Sequence, residues 1–212
     1  MRTGGGTVTD TQVDLFGAPQ DGPAGFRYAP DVISPDEEQA LLGHIRELPF
    51  REFEFQGYVG RRRVVSFGWR YDFTDQLLHP AGEIPDFLMP AREAATRFAG
   101  IAPDDLTQAL VTEYSAGAAI GWHRDRSVFG DVIGISLLAA CVFRLRRKAG
   151  GRWERFSVTA EPRSAYLLHG VARTEWEHSI PPVPALRYSI TFRTLRAPPA
   201  HALGGPRDVS AT

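Results

Sequence analysis

The spacing of apolar positions along the chain changes character twice. Near the N-terminus, Ser34-Pro35-Asp36-Glu37 places a capping serine, a proline at the first helical position and a glutamate in capping-box register. Leu41, Leu42, Ile45 and Leu48 follow at helical spacing, which predicts a helix with one buried stripe. A second helix is predicted from about Asp86 to Arg97, with Phe87, Leu88, Ala94, Ala95 and Phe98 inward and Gly100 as its stop. From Leu106 onward the period shortens to apolar or alternating runs at 107–114, 132–138, 140–147, 152–158, 164–168 and 186–195, separated by Gly, Pro and Asp. Segment 50–73 adds two aromatic-rich strands around a Gly and Arg turn. The predicted body is mainly β, a barrel, sandwich or jelly roll, with two N-terminal helices packed on one face of a sheet.

Composition narrows the picture. Residues 1–25 are rich in Gly, Thr, Asp and Pro, and residues 197–212 in Ala, Pro and Gly, so both ends read as flexible tails around one domain at 26–196. With 212 residues, 43% of them apolar, that domain can bury a sizeable core. Lysine plus arginine (24) nearly balances aspartate plus glutamate (25), so any polyanion would be met by local clusters such as Arg61-Arg62-Arg63 or Arg144 to Lys148. Cys141 is the one cysteine, which excludes a disulfide framework and a cysteine zinc site and fits a reducing, cytoplasmic setting. The start of the chain lacks a basic, then apolar, leader and no apolar run approaches about 18 residues, so neither export nor a membrane span is expected.

Candidate chemistry centres on Trp122-His123-Arg124-Asp125. In extended backbone His123 and Asp125 project to one side and could grip one metal ion. His178 lies far downstream, and two histidines with one carboxylate form the ligand set of non-haem iron(II) oxygenases. His169, in Tyr166-Leu167-Leu168-His169-Gly170, competes with His178 for the third position and reads better as a hydrogen-bonded loop residue. His44, His79 and His201 fall on a helix, a loop and a tail, where solvated or capping roles suffice. In Arg187-Tyr188-Ser189-Ile190-Thr191-Phe192-Arg193, strand alternation sends both arginines to one side and Tyr188, Ile190 and Phe192 to the other. Inward arginines need anions. Either one arginine pairs with Asp125 or Glu113 while the other is solvated, or the two hold the carboxylates of a bound dicarboxylate, for which the guanidinium fork is suited.

The ordered set His123-x-Asp125, His178 and Arg187-x5-Arg193, with its Tyr-Ser-Ile-Thr-Phe filling, resembles the signature of the AlkB-type iron(II)- and 2-oxoglutarate-dependent dioxygenases. The resemblance covers roughly 26–196. It implies a double-stranded β-helix, or jelly roll, and the cofactors Fe(II) and 2-oxoglutarate. It also implies His123, Asp125 and His178 as metal ligands and catalytic centre. Arg187 would take the distal carboxylate of 2-oxoglutarate, Arg193 would lie beside the proximal carboxylate and Asp125, and Tyr114, Thr112 and Ser189 would add hydroxyls. Thr112 and Ser189 depart from the family, which often has Asn at both places, and have shorter reach. In such enzymes 2-oxoglutarate is decarboxylated to succinate while a C–H bond is hydroxylated, and a hydroxylated N-methyl group leaves as formaldehyde.

By the same resemblance Phe67, Trp69 and Tyr71 belong to a lid where an aromatic ring stacks on an extracted base, although alternate aromatics on a strand also pack cores. The expected activity is removal of alkyl groups from DNA or RNA bases by a monomer. Its rivals are hydroxylation or demethylation of a protein or small molecule, and a non-catalytic adaptor. Gln12-Val13-Asp14-Leu15-Phe16 looks like the short peptide with which bacterial DNA enzymes dock on the sliding clamp, with Gln12, Leu15 and Phe16 as anchors.

Overall fold

The structure, a computed structural model, describes residues 22–55 and 58–196, with the side chains of 53–55 and 58–61 left aside. His201, the peptide Gln12 to Phe16 and most of both expected tails lie outside the described residues. In chain order the elements are β1 (Phe26–Ala29), α1 (Pro35–Ile45), β2 (Arg51–Phe55), β3 (Tyr58–Phe67), β4 (Trp69–Tyr71), β5 (Leu78–Pro80) and α2 (Met89–Ala99). There follow β6 (Leu106–Tyr114), β7 (Ile120–His123), β8 (Phe129–Leu137), β9 (Cys141–Ala149), β10 (Arg152–Ala160), β11 (Ala165–Leu168), α3 (Gly170–Thr174), β12 (Glu177–Ile180) and β13 (Arg187–Leu195).

Helix α1 starts where the capping box sets it. Glu37 N–H donates to Ser34 Oγ at 3.2 Å and Ser34 N–H donates to Glu37 Oε2 at 2.6 Å, so two orphan amides of the first turn are satisfied reciprocally. Helix α2, prefaced by a 3-10 turn at Asp86–Leu88, ends at Gly100, whose φ of 70° gives the left-handed cap that glycine adopts without strain.

From β6 onward the chain passes back and forth between two antiparallel sheets, with the β9-β10 hairpin kept within one of them. The larger has the order β1-β11-β8-β13-β6-β3-β2 and the smaller β10-β9-β12-β7, while β4 and β5 form a separate hairpin. Strands β6, β8, β11 and β13 lie in one sheet and β7, β9, β10 and β12 in the other, which is the double-stranded β-helix. The predicted strand runs agree with β2–β4, β6, β8–β11 and β13, whereas β1, β5, β7, β12 and α3 were absent from the sequence pattern because three to five residues carry too little periodicity.

Strand alternation divides the large sheet into two faces. Ala109, Val111, Ile133, Ile135, Leu137, Tyr188, Ile190 and Phe192 form one core with Leu41, Leu42, Ile45, Leu88, Ala94 and Ala95 of the helical layer. The opposite face meets the small sheet around a second core that includes Phe143, Leu145, Leu168 and Ile180. Residues 24 and 25, expected in the tail, are pinned to the body, since Ala172 N–H donates to Ala24 O and His169 N–H to Gly25 O.

Candidate active site

The site lies between the two sheets. His178 on β12 is the Cα partner of His123 on β7, so both imidazoles project from the same face of the small sheet. Their ring centroids are 4.2 Å apart. Asp125 follows two residues beyond His123, and its Oδ2 stands 3.6 Å from His178 Nε2. Among the described residues no three His, Cys, Asp or Glu side chains are gathered closely enough to hold a metal ion as they stand, and Arg193 balances the Asp125 charge.

Arg193 grips Asp125 through one oxygen, with Nε and Nη2 donating to Oδ1 at 3.1 and 2.8 Å. Its third nitrogen, Nη1, donates to Gln108 Oε1 at 2.9 Å. Oδ2 of Asp125 is buried without a hydrogen-bond partner among the described residues. Burial alone would raise this carboxyl, but the Arg193 guanidinium beside it holds it well below the usual carboxylate range. Burial pushes His178 down to about 3, and it also lowers His123 despite the opposing pull of Asp125. Both rings are therefore neutral near pH 7, the form in which imidazole nitrogen ligates metal. The His123 Nδ1–H donates to Gly121 O at 2.9 Å, since a carbonyl only accepts, and this leaves the lone pair on Nε2.

The second group of residues follows from register. Across β6-β13-β8, Ser189 is the Cα partner of both Thr112 and Ser136, and Arg187 is the partner of Tyr114. Arg187, 1% exposed, is among the largest wholly buried side chains. Its Nη2 donates to Ser136 Oγ at 2.9 Å and its guanidinium lies 4.6 Å over the Tyr114 ring. Nε and Nη1 have no hydrogen-bond partner among the described residues. A buried guanidinium with two unsatisfied donors is stable only when an anion meets them. Of the two sequence-level readings for these arginines, pairing with a protein carboxylate describes Arg193, whereas Arg187 has the character of an anion site.

Several residues here escaped sequence reasoning. Ser136 and Gln108 are ordinary strand residues until register puts them against the arginines. Arg173 of α3, 5% exposed, donates to the carbonyls of Arg126, Phe129 and Gly130 and so ties down the loop that follows Asp125. Arg62, the Cα partner of Tyr114, shares the interior face. Burial pulls its guanidinium below its ordinary value, and Tyr114, Arg193 and Asp125 are among its electrostatic neighbours. Its neighbour Arg63 faces the helices instead, paired with Glu113 at 2.7 Å. His169 accounts for itself as a hydrogen-bonded loop residue, with Nδ1 2.8 Å from Asp131 Oδ1.

The three aromatics expected at the lid separate. Phe67, Cα partner of Ala109, packs against the helix-covered core, away from the imidazoles. Trp69 and Tyr71 sit on the half-exposed β4-β5 hairpin. Arg126, next to Asp125, lies over the Tyr71 and Phe73 rings at 5.2 and 4.9 Å, so the hairpin adjoins the metal-type loop.

A double-stranded β-helix with two neutral imidazoles and a carboxylate on its small sheet, and a buried anion-seeking arginine on its large one, defines a non-haem iron oxygenase. The chain belongs to the 2OG-Fe(II) oxygenase superfamily, whose profile matches residues 25–193. The cofactors are accordingly Fe(II) and 2-oxoglutarate, and the protein is a dioxygenase. Among its relatives is the "alkylated DNA repair protein ALKBH8 homolog" of Arabidopsis thaliana, 30% identical over 183 residues, 74% of this chain. The chain spans only 51% of that plant protein. Protein L905 of Acanthamoeba polyphaga mimivirus is 27% identical over 188 residues, 81% of this chain and 85% of its own length. The solved structure of OsALKBH1 shares the fold with a TM-score of 0.60 at 16% identity, covering 84% of this chain and 98% of that one. A prolyl hydroxylase from Trichoplax adhaerens, solved with a hypoxia inducible factor peptide, shares it at 0.57 and 12% identity, covering 81% and 83% of the two chains.

The donor set fits both cofactors. An orphaned Asp125 Oδ2 beside two neutral imidazoles suits a divalent iron, and the unsatisfied Nε and Nη1 of Arg187 suit a carboxylate.

Proposed function

We propose that the protein oxidatively removes alkyl groups from bases of DNA or RNA, with His123, Asp125 and His178 holding the iron. The observation that carries the substrate class is the junction of Arg126, Tyr71 and Phe73, which sets flat aromatic surface beside the Asp125 loop. The plant relative, an alkylated DNA repair protein homolog by name, supports the same class.

When bound, iron and 2-oxoglutarate supply the O2-dependent hydroxylation of a C–H bond, with succinate and CO2 as co-products. The chain's own residues prepare that chemistry. Arg193 fixes Asp125 through Oδ1 and leaves Oδ2 for the metal, while burial keeps both imidazoles unprotonated. Arg187 takes a carboxylate of 2-oxoglutarate, with Ser136 orienting the guanidinium and Tyr114, Thr112 and Ser189 lining the same face. Trp69 and Tyr71 hold the target base. A carbon hydroxylated next to nitrogen then separates as an aldehyde and restores the base.

The test incubates the protein with Fe(II), 2-oxoglutarate and methylated oligonucleotides and follows succinate and formaldehyde together. Both products should form in step, and His123→Ala, Asp125→Ala and His178→Ala should each abolish them while His169→Ala keeps substantial activity. Succinate without formaldehyde across DNA and RNA substrates would move the activity to a protein or small-molecule target. The reading also includes clamp docking through Gln12, Leu15 and Phe16. Deletion of residues 1–20 should then remove clamp binding and leave turnover of a short oligonucleotide unchanged, and no saturable binding of the full chain below roughly 100 μM, about 5 kcal/mol, would end that part.

A further inference from the structure

The outer face of the small sheet, turned away from the imidazoles, carries an alternation the fold does not require. On β9 Phe143 and Leu145 point into the core, so Arg144, Arg146 and Lys148 point outward. Register sets Ser157, Arg155 and Trp153 of β10 beside them in that order. On the other flank, Ser179 and Glu177 of β12 pair with Arg144 and Arg146. Trp122, next to the inward His123, completes the face on the edge strand β7.

The side chains interleave cation and ring. Arg144 lies 5.0 Å and Arg146 4.4 Å from the Trp122 ring, and Arg146 also lies 4.4 Å from Trp153. Glu177 neutralises Arg146 at 2.6 Å. Four cations, Arg144, Arg146, Lys148 and Arg155, thus share this face with one carboxylate, in a protein whose formal charge is -1. Arg155 stands directly opposite Arg146, the member of the pair whose charge Glu177 already meets. Trp153 remains 42% exposed despite its size.

We propose that this face is a docking surface for single-stranded nucleic acid flanking the target nucleotide, with Lys148 and Arg155 meeting phosphates and Trp153 stacking on a base. The inference rests on the proposed nucleic-acid substrate and extends it to a second, remote contact region. Single strands present a phosphate line and successive π faces, and proteins hold them with interleaved cations and aromatic rings. An acidic peptide would match the charge but not the exposed ring. The four strands span about 14 Å at the usual inter-strand spacing. The face ends at β7, one residue from His123, so a strand crossing that edge leads into the site.

Fluorescence anisotropy with labelled, unmodified single-stranded DNA and RNA oligonucleotides tests it, using Lys148→Glu/Arg155→Glu and Trp153→Ala. Removing two phosphate contacts should weaken binding and flatten the slope of log affinity against log salt by about 1.4. Loss of one stacked base should cost about five- to hundredfold in affinity with the salt slope unchanged. Turnover of a methylated mononucleotide, too short to reach this face, should stay at the wild-type level, which also reports that the variants fold. Wild-type affinity in both variants, while methylated oligonucleotides are still repaired, would overturn the docking surface and leave the proposed function standing. Absence of any oligonucleotide binding or repair by the wild-type protein would overturn both. Equal competition by polyglutamate would reassign the face to acidic protein. Dissociation of a wild-type dimer by the charge reversals would reassign it to a second copy of this chain.

Discussion

At the scale of single residues, the site rests on two arginines of one strand doing different work. Arg193 spends its nitrogens on Asp125 and Gln108, whereas Arg187 keeps two unsatisfied. A lysine at 187 would place a point charge where a planar fork meets a carboxylate. Arg187→Lys should therefore raise the half-saturating concentration of 2-oxoglutarate by at least about tenfold, on the usual scale of a charge-assisted hydrogen bond. Steady-state titration of succinate formation checks it, and an unchanged value would remove Arg187 from that role. Ser136→Ala should move the same parameter less, because it deletes only the group that orients the fork.

At the scale of elements, the loop after Asp125 is held from outside its own sequence. Arg173 reaches from α3 to three of its carbonyls, and a buried guanidinium replaced by an apolar chain would leave those acceptors unpaired. Arg173→Met should loosen segment 126–130 and lower affinity for Co(II), used in place of iron, by about 10- to 100-fold, the range for groups that support ligands. Arg173→Lys should recover part of it. Amide exchange confined to 126–130 and a metal titration read the two effects, and unchanged Co(II) affinity in Arg173→Met would show that the tie is not needed. The helical layer was legible in advance at this scale because capping and periodicity act within one turn, as at Ser34 and Glu37. Helix α3 was not, since its contribution comes through Arg173 and not through a repeated pattern.

At the scale of the whole molecule, the interior between the sheets holds polar groups that the protein alone leaves unsatisfied, so cofactors should contribute to global stability. At a ligand concentration about 100 times Kd the gain is roughly 2.7 kcal/mol, and for a chain of this length that shifts Tm by about 5–10 °C. Thermal unfolding with Co(II) and 2-oxoglutarate together should show that rise. Asp125→Ala should remove most of it, and a wild-type Tm unmoved by saturating cofactors would contradict the arrangement of Asp125 and Arg187 as their site.

What the sequence by itself determined was local and periodic: the capping box of α1, the strand runs from Leu106 onward, and the alternation that sends Arg187 and Arg193 to one side. The His-x-Asp spacing and the downstream His178 were readable for the same reason, because strand geometry fixes side-chain direction over a few residues. The tertiary structure alone decided which long-range partners meet. Register across β3, β6, β13 and β8 brought Ser136 and Gln108 to the arginines, set Arg62 on the interior face and Arg63 beside Glu113 on the helix side, and sent Phe67 to the helix-covered core. In the small sheet, pairing of β7, β12, β9 and β10 gathered Trp122, Arg146 and Trp153 from three strands into one outer row. A one-residue slip in any of those pairings would send every side chain of the strand to the other face, so such meetings depend on the packing of the two sheets together and have no signature along one strand.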